Sequence, residues 1–341
     1  MDGAEWINLM SDTVTKPTPG MLQAMFNAEV GDDVFSEDPT VNALQAKAAS
    51  LFGKEAALFC PSGTMTNQIA IKVHTRALDE VICEQSSHIY QYEVGGYAYN
   101  SRIAIQLLSG KNGKLDPDQI KPAVRPDQDY LPHSALVVIE NSCNKAGGSY
   151  YTLHEMEALS RATRDAGMKF HLDGARIFNV LAETGDSTKS VGDLFDSISV
   201  CLSKGLGAPV GSVLIGDRDF IKQARRYRKV MGGGMRQAGY LAAAGIYALD
   251  HHVKRLKEDH RRAKQLGKIL ETMEIVDRVE PVHTNIIVFH LKENNADKFL
   301  QKLLSHRIKA VALGPATVRF VTHLDFTEEM LAETLAVLKT F

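Results

Sequence analysis

The chain has 341 residues, enough for one large domain and a smaller one. Hydrophobic residues make up 44% and charged residues 23%, and the net charge of −2 gives no reason to expect nucleic acid or an anionic membrane as a partner. The acidic opening Met1-Asp2-Gly3-Ala4-Glu5-Trp6 lacks the basic and apolar regions of a signal peptide, and no apolar run approaches the ~20 residues of a membrane span.

Short, continuously apolar runs alternate with longer amphipathic ones. Ala56–Cys60, Val81–Glu84, Ile103–Leu107, Ala135–Glu140, Lys169–Leu172, Ser197–Leu202 and Gly211–Ile215 read as strands covered on both faces. Helical periodicity runs through Thr64–Leu78, His154–Ala166 and Arg218–Lys229. This alternation predicts an α/β fold: a seven-stranded, mostly parallel sheet with helices on both faces. From Met235 to Leu270 the texture predicts one long helix, Ala-rich and then highly charged, leading out of the large domain. Beyond it, Thr284–Leu291, Lys309–Leu313 and Thr317–Thr322 read as strands, and Ala296–Ser305 and Glu328–Lys339 as helices. The expected organisation is a large domain, residues 1–245, and a small C-terminal α+β domain, residues 246–341.

The four cysteines, Cys60, Cys83, Cys143 and Cys201, form no C-x-x-C pair, and three lie in or beside expected strands. They read as small buried hydrophobes of a reduced, cytoplasmic protein. The histidines do not fall at metal-ligand spacing around them, so no metal is expected.

Chemistry concentrates where expected strands end. Lys204 follows Ser197–Leu202 directly, in Ser203-Lys204-Gly205-Leu206-Gly207, and Asp173 ends the run Phe170-His171-Leu172. A strand-end Asp followed by a strand-end Lys is the layout that pyridoxal phosphate (PLP) requires. The Lys holds the aldehyde as a Schiff base and the Asp pairs with the ring nitrogen. Arg176, three residues on, can reach the ring oxygen, or can form a surface pair with Asp173. Pro61-Ser62-Gly63-Thr64 follows a strand and opens a helix, so Ser62, Gly63 and Thr64 can hold a phosphate, or can cap the helix. His88, just past Val81–Glu84, can stack on the ring or stand at the surface. Arg319, in Val318-Arg319-Phe320-Val321, can pair with a substrate carboxylate or face water from an edge strand. Arg236, beside Gly232-Gly233-Gly234, can add charge to an anion site across a subunit interface.

Together these segments resemble the L-threonine aldolases of low specificity, within the aspartate-aminotransferase-like fold type I PLP enzymes. The resemblance rests on Ser11-Asp12-Thr13-Val14-Thr15-Lys16-Pro17, on Gly31-Asp32-Asp33-Val34-Phe35-Ser36-Glu37-Asp38-Pro39-Thr40, on His171-Leu172-Asp173-Gly174-Ala175-Arg176, on Ser203-Lys204-Gly205-Leu206-Gly207, and on Gly232-Gly233-Gly234-Met235-Arg236-Gln237. It implies that Lys204 is the Schiff-base lysine and that Gly63 and Thr64 hold phosphate together with Arg236 of a neighbouring subunit. Asp173 then meets the ring nitrogen, Arg176 the ring oxygen and His88 the ring face, while Ser11 and Arg319 clamp the substrate carboxylate. The implied assembly is a homotetramer, a dimer of dimers with shared sites. The implied reaction cleaves L-threonine, L-allo-threonine and related β-hydroxy-α-amino acids to glycine and an aldehyde. The alternative is another lyase of the same fold, β-eliminating or phenylserine-preferring.

Two departures from the family pattern stand out. Met10 stands where the family usually has Arg before Ser11, and Tyr130 stands where it commonly has a second active-site His. His133 is the nearest histidine that could replace the latter, as a contact to the substrate hydroxyl.

Overall fold

The computed structural model describes residues 6–341, so the reading of the first five residues lies outside the described residues. In chain order the elements are β1 (Ile7–Asn8), α1 (Pro19–Phe26), α2 (Pro39–Leu51), β2 (Ala56–Cys60), α3 (Gly63–His74), β3 (Asp79–Glu84), α4 (His88–Gln91), β4 (Ala104–Leu108), α5 (Pro117–Ala123), β5 (His133–Glu140), α6 (Leu153–Asp165), β6 (Lys169–Asp173), α7 (Ile177–Thr184), α8 (Thr188–Gly192), β7 (Ser197–Cys201), β8 (Ser212–Gly216), α9 (Arg218–Val230) and α10 (Gly239–His251). There follow α11 (Leu256–Leu270), β9 (Val276–Val279), β10 (Ile286–Leu291), α12 (Ala296–Ser305), β11 (Ile308–Lys309), β12 (Val311–Gly314), β13 (Thr317–Val321) and α13 (Glu328–Leu338).

Seven strands form the central sheet in the order β2-β8-β7-β6-β5-β3-β4. Neighbours from β7 to β4 pair in parallel, while β8 runs antiparallel to both β7 and β2. The strands read as continuously apolar because both faces are covered. In β5, Val137 and Ile139 enter the main core with Leu172 and Ile198, while Leu136 and Val138 enter the opposite layer with Ile71 and Cys83. All four cysteines are free and buried. Among the described residues no helix is long and apolar enough to cross a membrane.

The long helix expected over Met235–Leu270 is two helices. A turn at residues 252–255 breaks it, where His252 folds inward and bonds the Leu206 carbonyl at 2.7 Å. The domain break expected near residue 245 falls inside α10, whose Ala242, Ala244 and Ala248 belong to the large core. Core membership changes within α11: Leu256 packs with the large core, whereas Ala263, Leu266 and Leu270 pack with the small one. We place the division there. The run expected as one strand at Lys309–Leu313 also divides. β11 pairs in parallel with β1, and β12 joins the antiparallel sheet β12-β13-β10-β9. Ile7 and Leu9 thus sit in the small core, and the following residues cross back to the large domain.

Candidate active site

The parallel strands β5, β6 and β7 finish level with one another. Glu140 pairs in register with Asp173, and Asp173 with Ser199. Asp173 is 2% exposed; its Oδ2 accepts from Asn67 Nδ2 at 2.8 Å and its Oδ1 from the Ala175 N–H at 3.2 Å. Lys204 lies three residues beyond β7, its carbonyl held by Thr15 Oγ1 at 3.0 Å. The strand-end Asp and Lys therefore leave neighbouring strands at one edge of the sheet, where ligands of such folds bind.

His88 opens α4, just past β3. Its Nδ1 lies 2.9 Å from Glu93 Oε1, and its backbone N–H donates to Glu140 Oε2 at 3.1 Å. One polar atom each from His88, Glu93 and Asp173 lie within 4.8 Å of one another. Burial disfavours the charged imidazole, but the Glu93 hydrogen bond and the charges of Asp173, Glu93 and Glu140 outweigh it, and the His88 pKa rises. Glu140, buried beside Asp173, is pushed up by desolvation first and then by that charge.

At the opening of α3, Ser62 caps the helix by accepting from the Met65 N–H at 3.2 Å. The N–H groups of Gly63 and Thr64 stay available at the positive end of a 12-residue helix, so capping and anion binding coexist here. A Cβ on Gly63 would meet Cys201 Sγ at 2.6 Å, so the glycine also seats the helix on the end of β7.

On the small-domain side, Arg319 projects from β13. Its Nη1 donates to Asn144 Oδ1 at 3.1 Å and its Nη2 to the Met10 carbonyl at 3.1 Å, while its Nε is buried without a partner among the described residues. Arg176 Nη1 approaches the same Asn144 oxygen at 3.4 Å. Its Nε and Nη2 grip Asp12 at 2.8 and 2.7 Å. Burial alone would raise the Asp12 carboxyl, but Arg176, Lys204 and Asn285 together hold it well below the usual range. Ser11 sits between Met10 and Asp12, its Oγ engaged by Thr13.

The structure brings together Lys204, Asp173, His88, Arg176, Arg319 and Ser11. It does not bring His133 there. That residue begins β5, at the N-terminal end of the sheet, exposed and 3.4 Å from Asp79. The site lies at the C-terminal ends, seven residues along the same strand, roughly 23 Å away at the usual rise per residue. Two further expectations are narrowed. Asp12 occupies two of the three Arg176 nitrogens, leaving Nη1 for any ring oxygen. Arg236 is exposed and pairs within its own chain with Asp32 at 2.8 Å. Sequence reasoning gave no role to Asp12, Asn67, Glu93, Glu140 or Asn144. Asp12 lay inside a segment already singled out and Glu140 at the end of an expected strand, while the others carried no local signal.

The profile of the beta-eliminating lyase family matches residues 8–294. The low specificity L-threonine aldolase of Escherichia coli (strain K12) is 43% identical over 336 residues, covering 98% of this chain and 99% of the relative. The chain belongs to the threonine aldolases of that family. A second relative, low-specificity L-threonine aldolase 1 of Arabidopsis thaliana, is 38% identical over 97% of this chain and 94% of its own. The solved threonine aldolase of Leishmania major shares the fold with a TM-score of 0.85 at 22% identity, covering 98% and 99% of the two chains. Serine palmitoyltransferase of Sphingomonas wittichii shares it more distantly, with a TM-score of 0.78 at 16% identity over 99% and 88%. This is the fold type I architecture of PLP enzymes, and threonine aldolases are PLP-dependent. The residues here fit that cofactor. Asp173 is a buried carboxylate whose side-chain oxygens meet neutral N–H donors, and a protonated ring nitrogen is the cation such a group needs.

Proposed function

We propose that this threonine aldolase cleaves the Cα–Cβ bond of β-hydroxy-α-amino acids, L-threonine and L-allo-threonine among them, releasing glycine and an aldehyde. The observation that carries the reading is the charge balance around Arg319. Asp12 neutralises Arg176, whereas among the described residues Arg319 has only a side-chain amide and a carbonyl as partners and an unpaired buried Nε. A substrate carboxylate completes it.

With the carboxylate held by Arg319 and Ser11, the amino group turns toward Lys204 and the side chain toward His88. Fixing that orientation decides which bond at the α-carbon is aligned to break. PLP, when bound against Asp173, supplies the sink for the electron pair of the broken bond. Lys204 is the amine that would anchor its aldehyde. Ser62, Gly63 and Thr64 hold its phosphate, joined by the partner subunit's Arg236, and His88 covers the ring face. The active form is a homotetramer in the cytoplasm. Self-association is supported by large apolar side chains left in the open on the single chain, among them Phe26, Phe35, Val94, Tyr99 and Val230, each at least 70% exposed.

The test is product analysis with L-threonine, L-allo-threonine and phenylserine. Glycine with acetaldehyde or benzaldehyde supports the proposal. Ammonia with 2-oxobutyrate from the threonines, or with phenylpyruvate from phenylserine, favours the β-eliminating alternative and rejects it. Light scattering at the tetramer mass supports the shared site; a monomer with full activity rejects it.

A further inference from the structure

Glu93 is fully inside the protein, yet three side-chain N–H groups converge on it. Oε1 lies 2.9 Å from His88 Nδ1 and accepts from Asn67 Nδ2 at 2.9 Å, and Oε2 accepts from Gln68 Nε2 at 2.5 Å. Both carboxylate oxygens are thus matched by side-chain nitrogens, which fixes the orientation of the group. Asn67 uses the same nitrogen to reach Asp173 Oδ2 at 2.8 Å, so one amide clasps the two carboxylates.

The orientation of that amide is itself imposed. His171, fully buried, lies with Nε2 3.3 Å from Asn67 Oδ1 and Nδ1 2.8 Å from Ser197 Oγ, which in turn lies 2.7 Å from His74 Nε2. With the Asn67 oxygen facing His171, the assignment runs from His74 N–H to Ser197, from Ser197 O–H to His171 Nδ1, which also lies 3.1 Å from the Ser197 carbonyl, and from His171 Nε2–H to the Asn67 oxygen. The Asn67 NH2 then points at Glu93 and Asp173. The loop behind Glu93 is fitted for this packing. A Cβ on Gly96 would meet the Gln68 side-chain amide carbon at 2.8 Å, and Val94 stands in the left-handed region at φ +55°, a costly place for a β-branched residue.

We propose that Glu93 is a positioning residue for proton transfer. It takes the Nδ1–H of His88, so the neutral imidazole presents an unprotonated Nε2 to the substrate's β-hydroxyl. In the step this prepares, the O–H bond breaks and an Nε2–H bond forms. The hydroxyl oxygen becomes the aldehyde carbonyl oxygen, the Cα–Cβ pair passes to the electron sink, and the imidazolium stands against the Glu93 carboxylate. The proton taken up balances the one the α-carbon of glycine gains, so the cycle consumes none. The inference deepens the proposed cleavage and rests on it for the identity of the proton donor. It adds that the base is a dyad tied through Asn67 to the carboxylate that meets the ring nitrogen. The charged groups facing His88 are Glu93 from its own loop, Glu140 from β5 and Asp173 from β6, with the Tyr92 ring 5.6 Å away.

The experiment compares Glu93→Gln and Glu93→Asp with the wild type in two ways. The first is the pH dependence of His88 carbethoxylation by diethyl pyrocarbonate in cofactor-free protein, followed by peptide mass spectrometry. The second is the acid limb of kcat/KM for L-threonine in the holoenzyme. Loss of the charge in Glu93→Gln moves both midpoints to lower pH by the same amount and lowers kcat at least about tenfold, with KM little changed. Glu93→Asp keeps the charge and restores the midpoints. Unmoved midpoints in Glu93→Gln overturn the proposal. So do equal losses in the two variants without a pH shift, which mark Glu93 as a packing residue. If the wild type releases no aldehyde, the activity reading fails, and the carbethoxylation midpoint alone still decides whether Glu93 governs His88.

Discussion

Arg176 holds the carboxylate of Asp12 through two hydrogen bonds, 2.8 and 2.7 Å long, with both side chains almost wholly out of water. The pair joins the opening segment of the chain to the end of β6. Removing one partner leaves the other charge buried and bare, which costs about 3–5 kcal/mol. Asp12→Ala is therefore expected to lower the melting temperature and to weaken substrate binding, since Arg176 is then free to pull on Asn144. The pH dependence follows from the sign of the shift. Asp12 is depressed in the folded protein from about 3.8, so its contribution is complete above that value and is lost as pH falls further. A melting temperature unchanged in the variant at neutral pH refutes the role.

Arg319→Ala should act chiefly on substrate affinity, costing kcat/KM about 2–5 kcal/mol, because the buried Nε and its neighbours then offer no mate to the incoming carboxylate. Arg319→Lys should rescue little, since an ammonium cannot reproduce the planar fork. Steady-state kinetics with L-threonine reads both. Unaltered kinetics in either variant removes Arg319 from the clamp.

Lys204→Ala should abolish the visible absorbance of bound PLP together with turnover, while the protein keeps its fold by circular dichroism. Retained absorbance shifts the anchor to a different amine.

His133→Ala should leave kcat and KM unchanged, because its ring lies at the far end of β5 beside Asp79. A substantial loss of kcat would contradict the placement of this residue.

Acid stability offers a check on the buried network behind Asn67. Desolvation lowers His171 to about 4 and His74 to about 3, both from 6.5. Between pH 6.5 and 4 the unfolded chain takes up protons that the folded chain refuses, so stability falls as pH drops through that window. His171→Gln should flatten the slope of melting temperature against pH there. An identical slope argues that His171 is already charged in the native protein.

Much of this was legible in the amino-acid order, for physical reasons that also explain the failures. The sheet strands announce themselves because burial on both faces leaves no polar alternation to confuse, and Asp173, Lys204 and His88 are found by standing just past such runs. Glu93 and Asn67 gave no such sign, while Glu140 ends its strand as Asp173 does and was passed over. Asn67 is the middle of a Thr66-Asn67-Gln68 triplet that resembles any polar stretch of a helix, and only the tertiary fold turns it inward. His133 misled by proximity in sequence. It precedes its strand rather than follows it, and strand direction alone would have put it at the edge opposite the crevice. The long helix over residues 235–270 was misread because His252 breaks it through a bond to Leu206, a residue 46 positions away.

The pairing of β1 with β11 joins residues about three hundred positions apart, Ile7 with Ile308. On the ribosome, the first strand made must wait for nearly the whole chain before it finds its mate, and Arg319 emerges later still. A nascent chain stopped short of Thr317 already carries Lys204, Asp173 and Ser11, but lacks the guanidinium of Arg319. If these residues act as proposed, synthesis completes the cofactor side first and leaves the substrate clamp waiting for its arginine.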